Sequence, residues 1–304
     1  MDASEILGLV RRIEIATRRA ANAELAGRYH SVFKGQGMSF SEVRPYTPGD
    51  DVRHIDWNVS ARQPEQGLFV KQFVEERELT VTLLVDLSGS GDFGTRGKTK
   101  RARLAEAGAL IAFSAIQNND RVALLLFTDE VELFVPPRKG KKHVLRVIRE
   151  IATAEPRGTK TSIDNALRYL SRVQRKRSVC FVLSDWIDSG WDRALKMARA
   201  RHDVIAVRIT DPAERILPDL GLVEIEDAET GERRLIDTSN KAVREAFALR
   251  QTDRRRATKK RLAQLGCDLV DLETTAGKAG EIAAVLAPMV AFFRARAARL
   301  RGGK

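Results

Sequence analysis

The feature that most constrains this chain of 304 residues is Val81-Thr-Leu-Leu-Val-Asp86, followed by Leu87-Ser88-Gly-Ser90. An aliphatic, β-branched run this short reads as a strand buried on both faces, the kind found in parallel sheets. Ligand sites in such sheets lie just beyond the carboxyl ends of the strands, which is where Asp86, Ser88 and Ser90 fall. Three oxygen-bearing side chains at alternate positions in a Gly-containing turn can converge on one hard cation. Carboxylate, hydroxyl and water oxygens are the ligands that suit Mg²⁺.

A second run, Ser178-Val-Cys-Phe-Val-Leu-Ser184-Asp185, repeats the grammar of a buried strand ending in an acid. Between the two runs, Arg157-Gly-Thr159-Lys-Thr161 precedes a helix whose apolar positions are Ile163, Ala166, Leu167, Leu170 and Val173. The pattern Asp86-x-Ser88-x-Ser90 resembles the metal-ion-dependent adhesion site of von Willebrand factor A-like domains. That resemblance implies a cation, Mg²⁺ or Mn²⁺, held by Ser88, Ser90 and a threonine of the middle loop. Thr159 is the better match for that threonine and Thr161 the fallback. The resemblance also implies that Asp86 and Asp185 reach the cation through bound water.

A competing motif overlaps the first loop. Gly89-Ser-Gly91-Asp-Phe-Gly94 satisfies G-x-G-x-x-G, the dinucleotide fingerprint. That fingerprint needs a helix opening at the glycines, whereas Thr95-Arg-Gly97-Lys-Thr-Lys intervenes and helical periodicity starts only around Arg101. Arg121 to Phe127 and Val131 to Val135 then flank a tight acidic turn and predict a hairpin. A dinucleotide fold has no hairpin there; a von Willebrand A-like sheet has one antiparallel edge strand in that position. The expected fold is therefore α/β, a doubly wound, mostly parallel sheet with one antiparallel edge strand, plus a small N-terminal β-rich segment.

The chain is long enough for one large domain and an attachment. The domain reading is 1–78 for an N-terminal helix and β-rich segment, and 79–304 for the α/β domain. The latter carries a hairpin insert near 222–237 and a closing helix from Glu281 to Arg299. Ile6, Leu9, Val10 and Ile13 predict a helix over residues 1 to about 25, without the apolar core of a signal peptide. The most apolar late stretch, Ile282 to Phe293, holds Pro288 and is too short to span a bilayer. Cys180 and Cys267 read as free buried thiols, which fits a reducing cytoplasm. Ser239 is the expected cap of a long basic helix reaching about Leu265.

Residues 27 to 78 differ in texture, with glycines, prolines and short alternation that mark turns and edge strands. Ile55 and Trp57 read as core, and Arg44, Asp50, Asp51, Arg53, Asp56, Arg62 and Arg77 as an ion-pair network shaping the segment. The run from Arg44-Pro-Tyr-Thr-Pro-Gly-Asp50 through His54-Ile-Asp56-Trp57 to Arg62, then Phe69 to Glu76, then Asp86-x-Ser88-x-Ser90, resembles the DUF58 family. The agreement extends from about Gly27 to the closing helix. One departure is Gly91, where many relatives carry methionine. Another is that the transmembrane helices many relatives carry ahead of this region are not seen here. The resemblance implies a partner class: a MoxR-type AAA+ ATPase that supplies nucleotide hydrolysis, with this chain as its adaptor toward a client protein offering an acidic side chain.

The net charge of +12 comes from basic runs spread along the chain, few with aromatics beside them to stack on bases. They read as solvated helix faces; an anionic membrane surface, nucleic acid or an acidic partner are the alternatives. The four histidines are scattered and no zinc motif, Walker loop or nucleophile elbow is present. The expected role is a cytoplasmic, metal-dependent binding module and not an enzyme. A Mg²⁺-dependent hydrolase using Asp86 or Ser90, and nucleic-acid binding through Arg254 to Arg261, are the alternatives.

Overall fold

Proline and glycine shape the first compact unit, Lys34–Leu79. The computed structural model describes residues 37–76, 78–94, 99–226, 231–274 and 283–302, with Arg11, Tyr29 and Val32. The helix expected over residues 1–25 thus lies outside the described residues apart from Arg11. Strand β1 (Gly37–Pro45) leads through a turn and the six-residue helix α1 (Trp57–Arg62) to β2 (Phe69–Glu76). The two strands pair antiparallel, with Pro45 opposite Phe69. At the turn Gly49 has φ +109°, a backbone that only glycine adopts without strain. The Arg44 guanidinium forks onto both oxygens of Asp50 at 2.8 and 2.7 Å. That contact, joined by the Thr47 N–H, holds the Asp50 carboxyl well below the usual carboxylate range.

One expectation for this segment fails. Ile55 is buried, bridging to Val70, but Trp57 is 66% exposed. Asp56 caps α1 by accepting from the Asn58 and Val59 amides. Trp57 is then the first residue of a helix of six residues, less than two turns, which buries only one side, here Ser60.

The rest of the chain alternates strand and helix. Its elements are β3 (Thr80–Asp86), α2 (Lys100–Gln117), β4 (Arg121–Phe127), β5 (Val131–Arg138), α3 (Lys141–Thr153) and α4 (Ile163–Val173). They continue with β6 (Val179–Ser184), α5 (Asp192–Arg201), β7 (Asp203–Thr210), β8 (Leu222–Glu226), β9 (Arg233–Asp237), α6 (Lys241–Gln264), β10 (Asp268–Glu273) and α7 (Ala283–Gly302). Asn240, one residue later than expected, caps α6 by accepting from the Ala242 N–H. Among the described residues the hairpin β8–β9 pairs only with itself.

The central sheet has six strands in the order β10-β7-β6-β3-β4-β5. Every pair is parallel except β4–β5, so β5 is the antiparallel edge strand that the sequence predicts. Strand residues alternate between two apolar layers. Leu84 packs in a cluster with Ile163, Leu167 and Leu170 of α4 and Leu195 of α5. Its neighbour Leu83 faces the opposite way, toward Gly108 of α2. Helices cover both faces, which is why β3 and β6 have no polar face and read as continuous apolar runs.

The topology also fixes where a site belongs. From β3 the chain winds outward through β4 to β5, then returns to β6 on the other side and winds outward again through β7 to β10. The switch point lies between β3 and β6, and crevices for ligands open at the carboxyl ends of such a pair. Asp86 ends β3 and Asp185 follows β6. No helix among the described residues is long and apolar enough to cross a membrane.

Candidate metal centre

Where β3 ends, its last residue becomes a buried acid. Asp86 is 3% exposed and accepts hydrogen bonds from the Ser88 N–H at 2.9 Å and the Ser184 hydroxyl at 2.7 Å. The first bond turns the chain sharply after Leu87; the second ties the β3 loop to the end of β6. A third donor, the Thr161 hydroxyl, stands 3.5 Å from the same oxygen that Ser184 holds, at the edge of hydrogen bonding. All three donors are neutral. Burial first, and the charge of Asp185 second, push the Asp86 carboxyl up to about 7.

The hydroxyls of Ser88 and Ser90 face each other at 3.2 Å. Ser90 sits in a short 3-10 turn, Gly89–Asp92. That turn is pinned to the middle loop, where the Gly89 N–H donates to the Thr159 carbonyl at 2.9 Å. Thr159, the better sequence match for a ligand, meets this loop through its backbone and is an exposed residue, whereas Thr161 is half-buried. The fold thus places the hydroxyl of Thr161, the fallback of the sequence reading, beside Asp86.

Glu132 of β5 clasps the middle loop. Its carboxylate accepts from the Arg157 and Gly158 amides, both at 3.1 Å, and from the Thr128 hydroxyl at 2.9 Å. Glycine is required at 158 by close approach: a Cβ there would meet the Asp129 carboxylate and lie 2.6 Å from the Thr128 hydroxyl.

Asp185 is held differently. One oxygen accepts from the Lys100 ammonium at 3.0 Å and the other from the Ile187 N–H at 3.2 Å. Lys100, the first residue of α2, is 2% exposed and donates a second bond to Glu214 at 2.5 Å. Burial alone would lower the pKa of this lysine, but the charges of Asp185 and Glu214 outweigh it and the pKa is raised. Glu214 is aimed by a capping box in which its other oxygen accepts from the Asp211 N–H at 3.0 Å. After Asp185 the backbone takes a left-handed turn at Trp186, φ +60°, a conformation that bulky residues rarely adopt. The buried indole packs edge-on against Trp191 at 5.3 Å and keeps it there.

The crevice is lined by Asp86, Ser88, Ser90, Lys100, Ser184 and Asp185. No cluster of three or more His, Cys, Asp or Glu side chains among the described residues is placed to hold a metal ion. A cation here would depend on serine and threonine hydroxyls. The donor chemistry fits one: Asp86, Ser88, Ser90, Ser184 and Asp185 offer oxygen alone, beside the one ammonium of Lys100. Ser184, Lys100, Glu214 and Trp186 are the site residues that sequence reasoning missed. The stretch Asp211-Pro-Ala-Glu214 carries a capping-box signal for one of them; nothing local marks Lys100.

A family model described as "Protein of unknown function DUF58" matches residues 42–257. The chain belongs to the DUF58 family. An uncharacterized protein of Mycobacterium tuberculosis is 32% identical over 277 residues, which is 90% of this chain and 86% of that relative. The uncharacterized protein YeaD of Bacillus subtilis is 29% identical over 114 residues, 38% of this chain and 26% of YeaD. Among solved structures, BatB from Bacteroides thetaiotaomicron covers 72% of this chain and 99% of its own at 12% identity and a TM-score of 0.45. The SpRpn10 VWA domain covers 69% and 94% at 12% identity and a TM-score of 0.37. The fold assignment for this DUF58 protein rests on its strand order and not on these distant likenesses.

Proposed function

We propose that this DUF58 protein is a metal-dependent protein-binding adaptor. The observation that carries the reading is the convergence of three loops on Asp86: Ser88 from its own loop, Thr161 from the middle loop and Ser184 from β6. Ser88, Ser90 and Thr161 would hold Mg²⁺ or Mn²⁺, with Asp86 and Asp185 orienting its waters. When bound, the cation supplies an electrophilic position that a partner's Asp or Glu can occupy. Hydroxyl ligands leave that position more attractive to an incoming carboxylate than a carboxylate-rich shell would.

Among the described residues neither serine has a histidine or an uncommitted lysine beside it, which favours binding over turnover. His143 contacts the Val122 carbonyl and His202 the Ser178 hydroxyl, each away from Ser88 and Ser90. Lys100 is committed to two carboxylates. The family resemblance supplies the proposed partner, a MoxR-type AAA+ ATPase, with a client protein as the second ligand and the cytoplasm as the place of work. Capture from host lysate in Mg²⁺ and in EDTA, beside a Ser88→Ala/Ser90→Ala variant, tests this. The reading predicts an AAA+ ATPase retained only with Mg²⁺ and intact serines; retention of the same proteins in all three conditions contradicts it.

A further inference from the structure

A lysine whose ammonium is almost fully withdrawn from water has a large desolvation cost to offset, and Lys100 offsets it on two carboxylates at once. Neither belongs to its own helix: Asp185 follows β6 and Glu214 lies in the 3-10 turn after β7. The ammonium therefore sits as a fixed positive charge on the same acid that the metal reading assigns to the cation. Asp86 and Asp185 line the crevice and Glu214 holds Lys100 from behind, so an ammonium seated among these acids opposes a bound cation. Without it the same carboxylates would bind a divalent ion more tightly and release it less readily.

Resting on the metal reading above, we infer that Lys100 is the residue that sets how tightly the site holds its metal, a built-in cation that competes with the bound one for Asp185. The contact is placed to do so. Lys100 opens α2, and its Nζ joins the acid loop after β6 to the Glu214 turn, so a change at the metal alters the charge around the start of α2. Glu214 acts in the opposite sense to Lys100, since it adds negative charge and is itself fixed by its capping box. It is a second handle on the same balance.

Mn²⁺ alone, titrated calorimetrically into the full chain, tests the inference with four proteins: wild type, Lys100→Met, Glu214→Gln and Asp86→Asn. Lys100→Met is expected to bind Mn²⁺ about tenfold or more tightly than wild type, because one opposing charge is gone. Glu214→Gln is expected to bind it more weakly. General damage to the fold would weaken both, so opposite signs identify the electrostatic role. The melting temperature of Lys100→Met should also gain more from Mn²⁺ than that of wild type. If Asp86→Asn abolishes binding but Lys100→Met binds no more tightly than wild type, the inference is overturned and the metal reading stands. If neither wild type nor Lys100→Met binds Mn²⁺, both fall. Should Lys100→Met fail to fold, Glu214→Gln decides: weakened Mn²⁺ binding at an unchanged metal-free melting temperature supports the role, and any other outcome overturns it.

Discussion

The Ser184 hydroxyl donates to the Asp86 carboxylate at 2.7 Å across a sequence separation of 98 residues. That bond fastens the ends of the two strands at which the sheet changes winding direction. Ser184 also accepts from the Trp186 N–H at 3.1 Å, so one hydroxyl shapes both acid loops. Replacing it leaves a buried carboxylate oxygen short of its best donor. Measured by urea unfolding above the Asp86 value of about 7, Ser184→Ala should cost about 2 kcal/mol of stability, the scale of a hydrogen bond to a charged group. A loss under about 0.5 kcal/mol would show that the bond does not hold the loops.

The two threonines of the middle loop should separate cleanly. Thr161 faces Asp86 through its hydroxyl, and Thr159 serves Gly89 through its carbonyl, which substitution leaves in place. Thr161→Ala should weaken Mn²⁺ binding by about tenfold, the lower range for removing a group at or next to a metal. Thr159→Ala should weaken it less. The reverse order would favour Thr159, the better sequence match, as the ligand.

His202 gives the fold a pH dependence at the far end of the sheet. Its Nδ1 lies 2.9 Å from the Ser178 hydroxyl, and burial, followed by the charge of Arg201, lowers its pKa below 6.5. The folded protein therefore holds the neutral ring while the unfolded chain takes up a proton below 6.5. Stability should be insensitive to this group above that pH and should fall as pH drops from 6.5 toward the lowered folded value. His202→Gln should lack this contribution, so the stability difference between wild type and variant in denaturation curves should change steadily as pH is lowered from about 7.5 to about 5. A difference that stays constant across that range would rule out His202 as a source of pH dependence.

Both cysteines should be inert in the native state. Cys180 and Cys267 are buried and free, and burial pushes each thiol up to about 12, so the reactive thiolate is scarce. A disulfide-exchange reagent at mildly alkaline pH should label neither thiol in folded protein and both in denaturant. Rapid native labelling of either would contradict the packing around β6 and β10.

The sheet was legible because burial on both faces leaves an unmistakable signal: β3 and β6 are nearly unbroken aliphatic runs, and the turn between β4 and β5 announces its own reversal. Asp86, Ser88 and Ser90 were legible because they share one loop. Lys100 and Glu214 were not, since an ion pair closing over 114 residues leaves no local pattern, and Lys100 sits in a basic run that looks like solvated surface. Spacing alone does not say how Thr159 and Thr161 face Asp86, because the turn of their loop depends on Glu132, on a different strand. Trp57 misled for the converse reason: an aromatic beside a buried isoleucine looks like core, but a helix of less than two turns carries it outward.

The central claim is a cation held by hydroxyls from separate loops. Crystals of the full chain soaked in Mn²⁺, with anomalous diffraction recorded at the manganese edge, address it directly. The account predicts one peak within coordination distance of the Ser88 and Ser90 hydroxyls, beside Asp86 and on the side of Thr161, lost in Ser88→Ala/Ser90→Ala. A peak only at other carboxylates, or none at saturating Mn²⁺, would contradict it.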